Sequence, residues 1–354
     1  MAKFRGQMID TNFWKDKKVL ITGYSGFKGF WLNLLLLMLG ADVYGISKEG
    51  VHSEIFDKYN KIEKDNKNTF IDIENKHDLV PYLNSLNPDV IFHLAAQSLV
   101  ITSKLDPKST LETNIMGSFN ILEWVVNSDK KITTVVATTD KVYKYPEKKN
   151  LEDSPLGSFE FYGASKVAVE NIVDVFNNDK DSFNKISVVR SGNVLGGGDG
   201  GENRILTDIL KSINENVNLS LRNPDSIRPW QFILDSIGGY VLTAQHHALN
   251  NTYDKFNLNS DELNEISVIT LTNKIIKKFK SNISVTIEKK EKISESNALR
   301  IDSTKAKNTL LWNHFYNVEE IIENIYDWEK NKNSDDLGTV VTAQIKHYLD
   351  MFSH

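Results

Sequence analysis

The chain has 354 residues, of which 40% are hydrophobic and 25% charged, a balance typical of a folded protein with a sizeable core. Its formal net charge of −5, from 42 basic and 47 acidic residues, argues against a general electrostatic attraction to nucleic acid or to an anionic membrane surface. Because cysteine is absent, disulfides, thiolate nucleophiles and cysteine-ligated metals are excluded, and we expect no metal site.

In chain order, short apolar segments alternate with helical ones. We predict strands over 18–23, 42–47, 69–73, 90–96, 132–140 and 186–194. We predict helices from a glycine-rich turn to about residue 40, then over 78–86, 106–127 and 161–176. Near-continuous apolar strands that alternate with helices are typical of a parallel sheet covered on both faces. The fold class is therefore α/β, with a Rossmann-type doubly wound parallel sheet.

The pattern loosens after residue 197. A glycine-rich loop is followed by a short helix, a short strand at 218–222 and helices near 234–250, 266–280, 317–330 and 338–351. We predict a dinucleotide-binding domain over 1–197, with sheet contributions from about 230–260. Residues 198–354 then form mainly a smaller mixed α/β lobe that binds the substrate.

The most apolar run, residues 30–39, belongs to the first predicted helix. It is far shorter than the roughly 20 apolar residues that a membrane span needs. No basic segment followed by an apolar core and a cleavage site is found near residue 1, so we expect no signal peptide and a cytoplasmic location.

Three glycines at spacing three and three separate the first strand from the first helix, in the segment Gly23-Tyr24-Ser25-Gly26-Phe27-Lys28-Gly29. Glycine permits a tight turn and a close backbone approach to a pyrophosphate, and the helix amino end attracts the anion. The segment predicts a dinucleotide site, with Gly23, Ser25, Gly26, Phe27, Lys28 and Gly29 as its contacts. This spacing resembles that of the extended short-chain dehydrogenase/reductase family.

The choice between NAD and NADP stays open in the sequence. No carboxylate stands at the tip of the second strand to accept from a ribose 2′-hydroxyl, while Ser47 and Lys48 can receive a 2′-phosphate. Asp72 and Ile73 resemble the family's adenine-contacting pair, although Asp72 can also be a helix cap. The cofactor residues after the fourth strand and in the long helix are expected to be Leu94, Ala95, Ala96, Gln97 and Asn114.

Tyr162 and Lys166 are four residues apart and share one face of a predicted helix. A lysine ammonium beside a tyrosine favours the phenolate, which can take a proton from a sugar hydroxyl while hydride leaves the same carbon for a nicotinamide. Thr139, at the end of the preceding strand, aligns with the family residue that contacts the reacting 4-hydroxyl.

Asp140-Lys141-Val142-Tyr143 follows directly and resembles the CDP-glucose 4,6-dehydratases, a branch of this family. The segments that agree are G-F-K-G-F-W-L at 26–32, H-L-A-A-Q-S-L-V at 93–100, R-S-G-N-V-L-G-G-G-D at 190–199, and R-N-P with R-P-W-Q at 222–231. The resemblance implies oxidation at C4 of CDP-glucose by Tyr162, loss of water across C5 and C6 with Asp140 as the acid, and hydride return to C6. Lys141 is either the base at C5 or a charged stabiliser of the enolate.

The same resemblance implies a tightly bound NAD or NADP that is recycled in each turnover, a nucleotide-sugar substrate, and a homodimer or homotetramer built on the helices at 106–127 and 161–178. Arg190 either contacts cofactor phosphate or anchors its strand. The residues expected to bind the nucleotide sugar are Gln97, Asn193, Arg204, Arg222, Arg228, Trp230 and Gln231, with core packing as the alternative for Trp230. The alternative functions are an epimerase, a dehydratase for another nucleotide sugar, or a non-catalytic dinucleotide-binding protein.

Overall fold

The computed structural model of the protein describes residues 9–59, 67–201, 203–260, 262–287 and 299–352. Its strands are β1 (Lys18–Thr22), β2 (Asp42–Ser47), β3 (Asn68–Phe70), β4 (Val90–His93), β5 (Thr133–Thr139), β6 (Ile186–Ser191), β7 (Val194–Leu195), β8 (Leu219–Leu221), β9 (Ile227–Pro229), β10 (Gln231–Phe232), β11 (Lys255–Leu258), β12 (Glu265–Ser267) and β13 (Val285–Ile287).

Its α-helices are α1 (Thr11–Trp14), α2 (Phe27–Met38), α3 (Glu54–Tyr59), α4 (Lys76–Leu86), α5 (Val100–Leu105), α6 (Pro107–Leu111), α7 (Ser118–Val126), α8 (Phe161–Asn178), α9 (Ile205–Glu215), α10 (Ile233–Asn250), α11 (Val268–Lys278), α12 (Thr304–Thr309), α13 (Val318–Asn331) and α14 (Leu337–Asp350). None of these helices combines the length and the apolar character that a bilayer crossing requires.

Seven parallel strands form the central sheet in the order β11-β6-β5-β4-β1-β2-β3. From β1 the chain builds outward through β2 and β3, then returns to place β4 on the other side of β1. Such a reversal opens a crevice at the carboxyl ends of the strands, where doubly wound sheets bind their ligands. The predicted Rossmann-type fold is therefore confirmed.

Alternating strand residues feed two opposite layers of the core. Val19 and Ile21 of β1 pack with α2 and α10 in one large apolar cluster. Leu20, between them, packs on the other face with α4 and α7, and a third cluster joins β5 and β6 to α8. The leucine run of α2 is thus buried because it lies on the sheet.

The long helix predicted over 106–127 is interrupted. A π-helical turn, Glu112–Gly117, separates α6 from α7. The hydroxyl of Ser118 donates to the carbonyl of Asn114, the group that the Ser118 amide would bind in a regular α-helix, and that amide donates to Ile115 instead. The side chain of Asn114 is thereby turned toward the carboxyl ends of the strands, where it makes the contacts described below.

Arg190 anchors β6, which settles the alternative left open for it. Its guanidinium is fully buried and lies 2.5 Å from Glu170 of α8, with further hydrogen bonds to the Tyr143 hydroxyl and the Glu152 carbonyl. A buried arginine of this kind is stable only when its donors are paired, so these contacts fasten α8 to the sheet.

Part of the chain beyond residue 197 completes the sheet, because β11 pairs with β6. The paired segments β7/β10, β9/β12 and β8/β13 form three small sheets, and β7, β9 and β10 lie at the crevice end of β6. The division into domains at residue 197 remains a prediction.

Candidate active site

The candidate residues follow the last residues of neighbouring strands. Thr139 of β5 is in register with Ser191 of β6, and Ser191 with Leu258 of β11. The chain reverses between β1 and β4, and there Thr22 of β1 is in register with His93 of β4. The loops that leave these strands therefore converge at one edge of the sheet.

The glycine turn is packed tightly against the loop after β4. Gly23 has a positive φ of +73°, and a Cβ there would lie 2.8 Å from the Ala95 amide nitrogen. A Cβ on Gly29 would lie 2.2 Å from the Gly23 carbonyl oxygen. Gly26 caps α2 without a side-chain hydrogen bond. The first turn of α2 can thus offer its backbone amides to a pyrophosphate, so the turn fits a dinucleotide.

Ser25 and Ser47 tie the glycine turn to β2. The amide of Ser25 donates to Ser47 Oγ at 2.9 Å, and the Ser25 hydroxyl donates to the Val51 carbonyl at 2.5 Å. Both serines are buried, and Ser47 Oγ also donates to Asn68 at 3.3 Å. Their hydroxyls are therefore committed to holding the turn.

Lys48 is paired with two carboxylates. Its Nζ lies 2.8 Å from Asp72 Oδ2 and 3.7 Å from Glu74 Oε1. The hydrogen bond with Asp72 raises the pKa of Lys48, with the charge of Glu74 adding to the effect. Asp72 Oδ1 also accepts from the Glu74 amide, but the cap of α4 is Asn75, so the alternative role of Asp72 as a helix cap is not found. Ile73 is buried against Gly117 of the π-helical turn. Sequence reasoning did not single out Glu74.

The loop after β4 is held by hydrogen bonds to β1, to α6 and within itself. The amides of Leu94 and Ala95 donate to Thr22, at 3.1 Å each, and Ala96 follows them on the same loop. The Gln97 side chain donates to Thr110 Oγ1 at 2.9 Å and accepts from the Leu99 amide at 2.6 Å. Gln97 therefore shapes this loop, and its predicted contact with ligand remains a prediction.

A buried chain of hydrogen bonds beneath this loop was missed by the sequence reasoning. His93 Nδ1 lies 2.7 Å from Thr22 Oγ1, and His93 Nε2 lies 2.8 Å from Ser118 Oγ. Ser118 gives its proton to the Asn114 carbonyl, so it must accept from His93, which fixes the proton of the neutral ring on Nε2. Burial, with a contribution from Lys166, lowers the pKa of His93 to about 3.

Asn114 connects this chain to the helix that carries the candidate redox pair. Its Oδ1 accepts from the Gln97 amide at 2.8 Å, and its Nδ2 donates to Gln97 O and to Ser165 Oγ, at 3.0 and 2.9 Å. Ser165 in turn donates to the Tyr162 carbonyl at 2.7 Å. Sequence reasoning placed Asn114 at the cofactor, and the structure makes it the link between the loop after β4 and α8.

Tyr162, Thr139 and Asp140 form one buried group. Thr139 Oγ1 donates to Asp140 Oδ1 at 3.0 Å, and the Thr139 hydroxyl acts on Tyr162, whose pKa it lowers against the effect of burial. Burial raises the pKa of Asp140 although the cations of Lys141 and Arg228 oppose it. Burial thus moves the Asp140 carboxyl toward the protonated form that a general acid needs.

The expected lowering of the tyrosine pKa by a neighbouring ammonium is not found in these surroundings. Burial raises the pKa of Tyr162 well above its usual value, and the charge of Asp140 acts in the same direction. Lys166, one helical turn on, donates to the Ala137 carbonyl at 3.2 Å. Burial and the charge of Lys28 lower the pKa of Lys166 to about 8. The pair can then act as a base only if substrate or cofactor adds positive charge or hydrogen-bond donors.

Lys28 of the glycine turn thus acts on Lys166 of the candidate redox pair. Its Nζ donates to the Tyr240 hydroxyl of α10 at 3.1 Å and lies 5.7 Å from the centre of that ring. Its charge also acts on Lys166 and on Asp140. The sequence analysis assigned Lys28 to the cofactor, and its position in the structure lies between that site and the candidate catalytic groups.

Lys141 lies at the rim of the same group, with its side chain 20% exposed and its Nζ 3.6 Å from Glu160 Oε1. Gly163 is required beside it, since a Cβ there would lie 2.8 Å from the Lys141 carbonyl oxygen and 2.1 Å from Ser158 Oγ. The hydroxyl of Ser158 occupies the space that a side chain at position 163 would need.

The residues predicted to bind the nucleotide sugar fall into two sets. Asn193, Gln231 and Arg228 are near the carboxyl ends of β5 and β6. Asn193 Nδ2 and Gln231 Oε1 are buried without a hydrogen-bond partner, and the charge of Arg228, itself buried, acts on Asp140. Arg204 bridges Asp199 Oδ1 at 2.6 Å and Ser98 Oγ at 3.1 Å.

Two other predicted residues lie away from this group. Trp230 is 2% exposed within the large apolar cluster, and its indole nitrogen donates to the Ile266 carbonyl at 3.0 Å. This placement fits core packing, the alternative considered for it. Arg222 is exposed after β8, where its charge lowers the pKa of Asp208 against the effect of burial.

The sequence resembles proteins of known function. It is 31% identical over 336 residues to a CDP-glucose 4,6-dehydratase of Salmonella typhimurium, covering 91% of this chain and 93% of that one. It is 26% identical over 335 residues to a UDP-glucose 4-epimerase of Lactobacillus helveticus, with 89% and 97% covered.

The fold is similar to that of a UDP-glucuronic acid 4-epimerase from Bacillus cereus, solved in complex with UDP-glucuronic acid and NAD. The TM-score is 0.75 at 24% identity, covering 88% of this chain and 99% of that one. The family model described as GDP-mannose 4,6 dehydratase matches residues 20–325, which include the converging strand ends and the residues built on them. The chain therefore belongs to the GDP-mannose 4,6 dehydratase family, among enzymes that dehydrate or epimerise nucleotide sugars.

Proposed function

We propose that this enzyme is a nucleotide-sugar 4,6-dehydratase that converts CDP-glucose to CDP-4-keto-6-deoxyglucose and water. The observation that carries the proposal is the Asp140 carboxyl, which is buried beside the Thr139 and Tyr162 hydroxyls and whose pKa burial raises. An epimerase also oxidises C4, but its reaction does not need an acid for a departing hydroxyl. The likeness to the Salmonella enzyme supports CDP-glucose as the substrate.

The proposed reaction begins at the C4 hydroxyl, whose proton goes to Tyr162. The nicotinamide, when bound, supplies reversible acceptance of hydride at C4 and its return at C6. The C4 ketone makes the C5 proton acidic. As that proton passes to Lys141 or to a water beside it, Asp140 gives its own proton to the C6 hydroxyl, which departs as water. Hydride return to C6 and reprotonation of C5 complete the product.

This sequence leaves Tyr162 with one proton too many and Asp140 with one too few. The Thr139 hydroxyl donates to Asp140 at 3.0 Å and also acts on the Tyr162 hydroxyl, whose pKa it lowers against the effect of burial. It can accept the proton of Tyr162 while passing its own to the Asp140 carboxyl. We propose that Thr139 closes the proton balance in this way, in addition to contacting the C4 hydroxyl.

Lys141 is proposed to act at C5, and its contact with Glu160 at 3.6 Å supports the role of a charged stabiliser of the enolate. An ammonium held in an ion pair beside the sugar presents a positive charge, which can stabilise a developing enolate. Lys141→Arg separates this role from that of a base, because arginine keeps its charge and does not deprotonate. Turnover by the arginine variant, with none by Lys141→Met, supports the stabiliser. Loss of turnover in both identifies a base.

For the cofactor we propose NAD in preference to NADP. Lys48, the candidate for a 2′-phosphate, is held by the carboxylates of Asp72 and Glu74, which outnumber it. Carboxylates accept from a ribose 2′-hydroxyl and repel a 2′-phosphate. Titration of the purified protein with both dinucleotides tests this, and tighter binding of NADP contradicts it.

The remaining proposals concern the assembly and location. We propose a homodimer, with a homotetramer as the alternative, because helices α6–α7 and α8 lie side by side and expose apolar side chains such as Met116 and Val175. Sedimentation of the purified protein tests this. A cytoplasmic location remains part of the proposal.

The substrate test is direct. The protein is incubated with CDP-glucose and, separately, with UDP-glucose, dTDP-glucose and GDP-mannose, and alkali-induced absorbance reports any 4-keto-6-deoxy sugar. We expect product from CDP-glucose and none from a Tyr162→Phe control. A product only from another nucleotide sugar transfers the proposal to that substrate. A C4 epimer formed without loss of water makes the protein an epimerase.

A further inference from the structure

Asp140, Gly192 and Asn259 lie side by side at the crevice edge. Each follows the last residue of β5, β6 or β11, and these last residues are in register. Because Gly192 has no side chain, the space beside its Cα is open to both neighbours. A Cβ at Gly192 would lie 2.9 Å from Asp140 Oδ2 and 3.6 Å from Asn259 Oδ1.

These two oxygens share a further property. Both are buried, and neither has a hydrogen-bond partner. The other polar atoms of the two residues are engaged: Asp140 Oδ1 accepts from Thr139 at 3.0 Å, and Asn259 Nδ2 donates to the Ile301 carbonyl at 3.5 Å. Buried polar atoms are rarely left unpaired, so two such oxygens beside one glycine require an explanation.

An amide oxygen can only accept a hydrogen bond, and so can a carboxylate. The two unpaired oxygens can therefore satisfy each other only when the carboxyl is protonated. We propose that Asp140 carries its proton on Oδ2 and that Asn259 Oδ1 is the acceptor that holds this proton until substrate binds, which makes Asn259 a positioning residue for the acid. This inference rests on the proposed function for its catalytic meaning.

The charged groups around Asp140 show why such an acceptor matters. Lys141 beside it, Arg228 of β9 and Lys28 of α2 all favour the carboxylate, and Tyr162 of α8 is a further titratable neighbour. Burial opposes the three cations. An acceptor aimed at the protonated form adds to burial, because a hydrogen bond made only by the neutral carboxyl favours that form.

The step that follows is balanced. When a sugar enters, the oxygen of its C6 hydroxyl replaces Asn259 as the acceptor. As the C5 proton passes to Lys141 or to a water, the C6–O bond breaks, and the proton of Asp140 moves to the departing oxygen, so that water leaves and a carboxylate remains. Asn259 takes no part in this transfer. Its role is to keep the proton on the side of the carboxyl that faces Gly192.

Infrared spectroscopy of the full chain measures the protonated carboxyl directly. The carbonyl band of Asp140 is identified as the band missing from Asp140→Asn, and its loss is followed as pH rises. Asn259→Leu keeps the volume and removes the acceptor, so we expect the midpoint of this loss to fall by about one pH unit. Asn259→Asp keeps an acceptor and adds a carboxylate, so its midpoint should be higher than in the wild type.

Ser303→Ala is the matched control. Ser303 Oγ accepts from the backbone N–H of Asn259 at 2.9 Å, so this variant loosens the same segment and leaves Asn259 Oδ1 in place. It should lower the melting temperature and leave the midpoint unchanged. Should Asn259→Leu fail to fold, the rise expected for Asn259→Asp carries the test.

Three results overturn the inference: a wild-type midpoint in Asn259→Leu, the same fall in Ser303→Ala, or no rise in Asn259→Asp. The product assay of the wild type is scored separately. Keto-sugar formation with an unmoved midpoint removes the role of Asn259 and leaves the proposed function standing. A moved midpoint without keto-sugar formation from any substrate supports the role of Asn259 in holding the proton and removes the proposed function.

Discussion

Replacing Asp140 by asparagine is expected to separate the two halves of the proposed reaction. Asparagine has nearly the same shape, and its Oδ1 can still accept from Thr139, a contact of 3.0 Å in the wild type. The hydroxyl pair of Thr139 and Tyr162 is therefore expected to stay in place. Only the transferable proton is removed, so C4 oxidation should survive while loss of the C6 hydroxyl should not.

The size of the effect follows from the position of Asp140. It is 4% exposed, so water cannot readily replace it as the acid. A positioned general acid contributes about 10²- to 10⁴-fold, and we expect elimination to slow by about 10³-fold, equivalent to about 4 kcal/mol in the barrier. The rate of C4 oxidation should change by less than about threefold, because no group that contacts C4 is altered.

Single-turnover kinetics measures both steps. Nicotinamide absorbance follows oxidation at C4, and release of a heavy-oxygen label from C6 follows elimination. Asp153→Asn, the same substitution at an exposed position, serves as the matched control and should behave as the wild type. Label release by Asp140→Asn at a rate close to that of the wild type would refute the assignment of Asp140 as the acid. Equal loss of both steps in a normally folded variant would refute it as well.

Three further predictions concern pH and packing. Because the pKa of Lys166 is lowered to about 8 by burial and by Lys28, the C4 oxidation rate should fall as pH rises through about 8; a flat profile to pH 10 contradicts this. His93, with its pKa lowered to about 3, contributes stability that is full above the unfolded value of 6.5 and is lost as pH falls toward 3. The stability advantage over His93→Gln in urea unfolding should thus shrink by about 2 kcal/mol between pH 7 and pH 5, and a constant difference contradicts it. Gly163→Ala should lower the melting temperature and the rate together, because its Cβ would lie 2.8 Å from the Lys141 carbonyl; an unchanged rate would show that Lys141 is not displaced.

The sequence predicted those parts of the site that depend on local spacing. Tyr162 and Lys166 are one helical turn apart, and Asp140 directly follows Thr139 at the end of a strand, so their meeting follows from strand–helix order alone. The glycine turn was equally accessible, because positive φ and close packing leave glycine as the residue type at Gly23.

Groups whose role depends on distant partners were not predictable. His93 ends an apolar strand, and only the structure shows that its two ring nitrogens contact Thr22 and Ser118. The position of Asn259 beside Asp140 depends on the pairing of β11 with β6. The sequence after residue 197 does not indicate which strand β11 joins. Trp230 belongs to a matching motif, yet its burial is decided by the helices that cover it.

The π-helical turn, Glu112–Gly117, makes the length of this segment as important as its composition. This turn contains one residue more than a regular α-helix joining α6 to α7 would contain. In an α-helix, one residue corresponds to a rotation of about 100° around the helix axis. A deletion of a single amino acid here would restore a continuous helix and turn Asn114 away from Gln97 and Ser165. Insertions and deletions, usually tolerated best outside strands and far from an active centre, are therefore expected to be excluded from this surface helix.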